Sequence, residues 1–131
     1  MPVAVHIVTP EREVWSGEVQ ELIARGVEGE VGILGGHAPL LVQLVIGPLR
    51  MLQPDGSWLR AVVDGGFLHV SSQGGVTRAD VLVAHAELEH EIDLAAERRR
   101  LEEWEGRAQE DVDGVAKAEI AKSLARVKLL G

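Results

Sequence analysis

The chain has 131 residues, no cysteine, 46% apolar and 26% charged side chains, and a formal net charge of −8. That length allows one substantial hydrophobic core. The acidic balance excludes a nucleic-acid binder, which needs a concentrated basic surface. No apolar run approaches the roughly 20 residues of a membrane helix, the opening MPVAVHIVTP lacks the basic-then-apolar pattern of a leader, and nothing requires an oxidising compartment, so a cytoplasmic protein is expected.

The first 85 or so residues read as β structure. In VAVHIV, Val3, Val5 and Ile7 point one way and Ala4 and His6 the other, the period of a half-buried strand. In PLRMLQ, Leu49 and Met51 oppose Arg50; a PDG turn at Pro54–Gly56 leads into SWLRAVVD, where Leu59, Ala61 and Val63 share a face. A second turn, SSQGG at 71–75, separates FLHV from VLVA. Short strands punctuated every 8–12 residues by Gly, Pro, Asp or Ser predict a β-sandwich or barrel, without the strand–helix alternation of a nucleotide-binding α/β sheet.

Near residue 88 the composition changes. Leu94, Leu101, Trp104 and Ala108 recur at helical spacing, as do Ala116, Ile120, Leu124, Val127 and Leu130. Gly106 is a stop signal and Asp111 or Asp113 a cap, predicting two antiparallel helices of about 15 residues each. Charge follows the same division. Residues 1–86 carry five basic and nine acidic side chains, residues 87–113 four and eleven, and residues 114–131 four and one. Two such short helices are marginal alone, so their apolar stripes must lie on each other, on the β unit or on a partner.

The glycine-rich stretch GEVGILGGHAPLL at 29–41 matches neither GxxxxGK[ST] nor GxGxxG, and no lysine precedes Lys117. Its glycines are distributed like turns and strand bends. HAELEH at 85–90 matches neither HExxH nor HxxEH, so no metal site is expected. His37 has no nucleophile motif beside it, and a structural or interface role is favoured over a catalytic one. Arg98–Glu102 and Glu103–Arg107 are i,i+4 pairs that support a helix. Lys117, Lys122, Arg126 and Lys128, opposed only by Glu119, form either a solvated face or a face for an acidic partner. No constellation looks catalytic, and no cofactor is expected.

EGEVGILGGHAPLL (28–41), VDGGFLHV (63–70) and EID (91–93) at the start of a helix resemble the epsilon subunit of rotary ATP synthases. So do VTPEREVWSGEVQELIARG (8–26), with its aromatic-Ser-Gly at Trp15–Gly17, and DVDGVAKAEIAKSLARVKLL (111–130). The resemblance implies a flattened ten-stranded β-sandwich at 1–88 followed by a helical hairpin at 89–131. It implies a non-catalytic rotor piece held by gamma and seated on the c-ring, at the cytoplasmic face of a bacterial membrane without inserting into it. A contact loop would carry Glu30 as its polar tip, shaped by Gly29, Gly32, Gly36 and His37. The hairpin would rest on the sandwich or extend into the catalytic alpha/beta head and impede ATP hydrolysis, with Lys117, Lys122, Arg126 and Lys128 meeting acidic segments there. Glu87 and Asp93 match acidic positions of the nucleotide site found in some members. Ala96, Leu124 and Lys128 stand at its arginine positions, which implies weak or no ATP binding. Gly35 replaces a usual proline, implying a looser loop. The alternative is a free-standing β-sandwich adaptor with a partner-binding helical tail.

Overall fold

The structure is a computed structural model and describes residues 1–107 and 115–130. Ala108, Asp111 and Asp113 lie outside the described residues, as do the side chains of Arg107, Ala116 and Leu130.

Seven strands, β1 (Val3–Val8), β2 (Glu13–Val19), β3 (Glu21–Gly26), β4 (Gly29–Leu34), β5 (Leu40–Leu52), β6 (Trp58–Gln73) and β7 (Val76–Leu88), are followed by a 3-10 turn at Glu89–Glu91. Two helices complete the chain, α1 (Leu94–Arg107) and α2 (Val115–Leu130). The strands form one continuous sheet in the order β2-β1-β7-β6-β5-β3-β4. All pairings are antiparallel except β1 with β7.

Seven strands therefore stand where ten were expected, because three of them are long. The β5–β6 ladder breaks between Leu44↔Gly66 and Gly47↔Val63, and the β6–β7 ladder between Asp64↔His85 and Gly66↔Val83. At these breaks β5, β6 and β7 bend, and each contributes a segment to both layers of the folded-over sheet. Gly66 makes the bend possible. Its φ is +132°, and a Cβ there would collide with the Leu82 carbonyl and lie 2.8 Å from Val83 Cα, so only glycine lets β6 cross so closely over β7.

Both layers face one core. Val3, Val5, Ile7, Val19, Leu22, Ile33, Leu49, Met51, Leu68, Val70 and Val81 are all fully buried in it. The alternation read in VAVHIV and PLRMLQ holds. In SWLRAVVD it fails at one position, since Val62 is buried as well as Ala61 and Val63. The reason is that this strand is covered on both sides: Val62 packs with Ile92, Leu129 and Ala125 under the helices. The 71–75 turn is tighter than expected. β6 runs on to Gln73 opposite Val76, leaving Gly74 (φ +59°) and Gly75 (φ +80°) as a two-residue hairpin loop.

The helices pack on each other, and α2 lies on β5 and β6. Asp93 starts α1: its carboxylate accepts the Ala96 N–H at 3.1 Å and its carbonyl accepts the Glu97 N–H at 3.0 Å.

Candidate functional site

Two places in this fold carry the residues singled out by sequence. The first is β4 and its two ends. Gly29, Glu30, Gly32, Gly36 and His37 do not share a loop, which corrects that expectation. Residues 29–34 pair with β3 as a strand, Gly26↔Gly29 through Glu21↔Leu34. At about 3.3 Å per residue, the strand holds Gly29 and Glu30 at one end and Gly36 and His37 at the other.

At the hairpin end Gly29 takes φ +129°. Glu30 is exposed and accepts from Arg50 Nη2 at 3.1 Å. Beside it runs an open groove of about 460 Å³ lined by Gly26–Val31 and Leu40–Gln43. Val27 (56%) and Leu41 (65%) expose their side chains here, so the tip combines two carboxylates, Glu28 and Glu30, with bare apolar surface. At the far end the Gly36 N–H donates to Thr77 Oγ1 at 2.7 Å and the His37 N–H to the Leu34 carbonyl at 3.1 Å. The His37 ring nitrogen Nδ1 sits 2.7 Å from the Ala38 carbonyl. His37 is thus a turn residue turned upon its own backbone. Gly35 also has a packing reason: a Cβ there would collide with the Met1 carbonyl. A proline would meet the same obstacle, so close packing against Met1 accounts for the glycine.

The second place is the seat of α2. Lys122 Nζ lies 3.0 Å from Asp64 Oδ2 on β6 and 3.3 Å from Glu119 Oε1. The Asp64 carboxylate beside it holds the Lys122 ammonium above its ordinary pKa. Arg126 Nη2 lies 2.8 Å from Glu87 Oε1 on β7, and Arg126 Nη1 lies 3.5 Å from Glu97 Oε2 on α1. Glu97 in turn accepts from Arg100 at 2.6 Å. Glu87 also lies 2.8 Å from His85 Nε2. Arg60 on β6 donates Nε and Nη2 to Glu89 Oε2 at 3.1 and 2.9 Å, and Nη1 to the Leu129 carbonyl at 2.9 Å. Nearby, Glu91 accepts the Leu88 N–H and a bond from Arg12, each at 3.0 Å. That backbone bond, reinforced by the Arg12 guanidinium, holds its carboxyl below the usual range.

This arrangement corrects the reading of α2 as one basic face. Lys117 and Lys128 are exposed, but Arg126 is buried and Lys122 partly so. Leu124, placed on the apolar stripe by its spacing, is instead exposed at 36%. The buried positions Ser123, Arg126 and Leu129 define the seat. Long cationic side chains occupy it because the sandwich surface under α2 presents acids. Glu97 was missed altogether. It lies on the same helical face as Leu94, Leu101 and Trp104, so a glutamate inside an apolar stripe was the available signal.

Of the two acidic positions linked to nucleotide, Glu87 is engaged by Arg126 and His85, and Asp93 caps α1. Among the described residues no three His, Asp or Glu side chains converge as a metal set, and no helix is long and apolar enough to cross a membrane.

Comparison with known proteins places these features in a family. Residues 2–89 match the family described as "ATP synthase, Delta/Epsilon chain, beta-sandwich domain". The chain is 39% identical over 126 residues to the ATP synthase epsilon chain of Thermobifida fusca, covering 95% of this chain and 88% of that one. It is 38% identical over 128 residues to that of Syntrophomonas wolfei, covering 95% and 90%. Among solved structures, a chain in the Euglena gracilis mitochondrial ATP synthase OSCP/F1/c-ring assembly superposes with TM-score 0.79 at 25% identity, covering 98% of this chain and 80% of that one. A chain from the Tetrahymena thermophila mitochondrial ATP synthase central stalk/c-ring shares the fold, with TM-score 0.66 at 17% identity and 100% and 98% coverage. With the sandwich matched by the family and the curated relatives running on through both helices, this chain belongs to the epsilon-chain family of ATP synthases.

Proposed function

We propose that the protein is a non-catalytic rotor subunit of a proton-translocating ATP synthase, joining gamma to the c-ring at the cytoplasmic face of a bacterial membrane. The sandwich, residues 1–88, is the structural unit, and the hairpin, residues 89–131, restrains ATP hydrolysis when it leaves the sandwich for the catalytic head. The observation that carries this reading is the seat of α2. Its contact is largely ion pairs around a small apolar seam of Val62, Ile92, Leu129 and Ala125, which suits an element that docks and departs.

Two surfaces support the partner assignments. The tip at 26–31, with Glu30 and Glu28 beside Val27 and Leu41, is the c-ring contact. Because Arg50–Glu30 is an exposed pair contributing about 0–1 kcal/mol, Glu30 exchanges Arg50 for a partner at little cost. Gly29 permits close backbone approach there, while Gly32, Gly36 and His37 shape the strand and turn behind it. Apart from that tip, Phe67 and Leu82 are paired across β6 and β7 and both about half exposed. This apolar pair suits gamma. With Glu87 and Asp93 committed within the fold, and no arginine at 96, 124 or 128, the hairpin binds ATP weakly or not at all.

Reconstitution with gamma and the catalytic subunits tests the reading. Full-length protein should slow ATP hydrolysis relative to a chain ending at His90. Equal rates, with both chains incorporated, would overturn the inhibitory role.

A further inference from the structure

Two of the four cations that the family resemblance gives to an acidic partner, Lys122 and Arg126, are already occupied. Arg126 has 8% of its side chain exposed and its guanidinium 2.8 Å from Glu87; Lys122 has 24% exposed and its ammonium 3.0 Å from Asp64. Arg126 cannot meet an outside carboxylate without leaving the sandwich, and Lys122 would have to share its ammonium with Asp64. We propose that Asp64 and Glu87 form a resident acidic surface that latches α2 down by occupying Lys122 and Arg126, in direct competition with the acidic surface of a protein partner. This inference rests on the proposed inhibitory role for the identity of that partner, but not for the latch itself.

Three features give the latch its character. It works beside a small apolar seam, whose buried residues under the helices are Val62, Ile92 and Leu129. It is registered, because Asp64 and Glu87 come from adjacent strands and meet two cations one helical turn apart, so α2 fits in one position along its axis. It is also incompletely satisfied. Arg126 Nε and Glu97 Oε2 are buried without a hydrogen-bond partner, and Glu97 approaches Arg126 Nη1 only at ion-pair distance. Buried charges paired this imperfectly recover little beyond their desolvation cost. An outside acidic surface that lets Arg126 and Lys122 pair in a wetter setting then competes on nearly equal terms. Glu97, gripped by Arg100 on its other oxygen, stays with α1 and keeps Arg126 oriented within the hairpin.

The test is hydrogen exchange by mass spectrometry on the full chain, comparing the native protein with Asp64→Asn/Glu87→Gln at about 50 mM and about 0.5 M salt. Undocked, a helix this short is marginal, so α2 amides report docking. In the variant at low salt, amides of 117–130 should exchange at least about tenfold faster, while those of β1 and β3 stay protected. High salt should move the native protein toward the variant and leave the variant unchanged. Equal α2 exchange in the two proteins at low salt overturns the latch. Lys122→Met provides a second arm should the double variant lose sandwich protection: it removes the lysine from Asp64 and Glu119, both partly exposed, and it too should speed α2 exchange. In the reconstituted enzyme the double variant should inhibit hydrolysis more strongly than the native chain. Faster α2 exchange with unchanged hydrolysis would uphold the latch and refute the inhibitory reading instead.

Discussion

Arg60 offers a sharp test of how the hairpin is seated, because one side chain ties three elements. From β6 it grips Glu89 in the 3-10 turn with two N–H groups and the last turn of α2 through the Leu129 carbonyl. Arg60→Met keeps the apolar stem and removes all three bonds. A hydrogen bond to a charged group contributes about 1.5–3 kcal/mol when well protected, and an exposed ion pair about 0–1 kcal/mol. Arg60 is 41% exposed and Glu89 25%, so the combined loss should fall between, at about 1–2 kcal/mol. That corresponds to about five- to thirtyfold more opening at the affected amides. The effect should be local. Hydrogen exchange over 125–130 should accelerate by that factor, while the core strands β1 and β3, which do not adjoin β6, keep their protection. Arg60→Lys retains charge without the planar fork and should fall between the two. Unchanged exchange at 125–130 in Arg60→Met would refute the seating argument, and so would equal acceleration throughout the sandwich.

Other outcomes follow from the same contacts. Gly66→Ala places a Cβ against the Leu82 carbonyl at a φ of +132°; strain plus overpacking should cost about 2–4 kcal/mol, seen as a lower urea midpoint, and a shift below about 0.5 kcal/mol would contradict the bend. Glu91 has its folded pKa lowered by the Leu88 N–H and Arg12, so its contribution is present above the ordinary glutamate range and lost as pH falls through the lowered value. Glu91→Gln should therefore be less stable than the native protein at neutral pH, and their thermal midpoints should converge in acid. Glu30→Gln should leave stability within about 0.5 kcal/mol yet lower proton-driven ATP synthesis in the assembled enzyme; the reverse pattern would make Glu30 a structural residue.

Much of this was legible in the sequence, for identifiable reasons. Val3, Val5, Ile7, Leu49 and Met51 follow a period of two because each strand there has one covered face. The strand count was not legible. Ladder breaks at Gly65 and at Val45–Ile46 bend strands without ending them, and a glycine pair looks the same in sequence whether the chain turns back or crosses over. The family resemblance implied one contact loop where β4 keeps Glu30 and His37 at opposite ends; the glycine spacing itself read as turns and strand bends. The facing of α2 was misjudged because spacing alone favours Leu124 over Arg126. Which residue is buried depends on Asp64 and Glu87, far away in the chain, and no local pattern reports them. Gly35 shows the same limit, since its partner is the Met1 carbonyl.

On the proposed rotor placement, the 26–31 tip lies against the c-ring. A photoreactive residue at exposed Val27, irradiated in the assembled ATP synthase, tests it directly. Adducts with the c subunit are expected, in lower yield for Glu30→Lys. Adducts only with catalytic-head subunits, or none in an assembled and active complex, would contradict it.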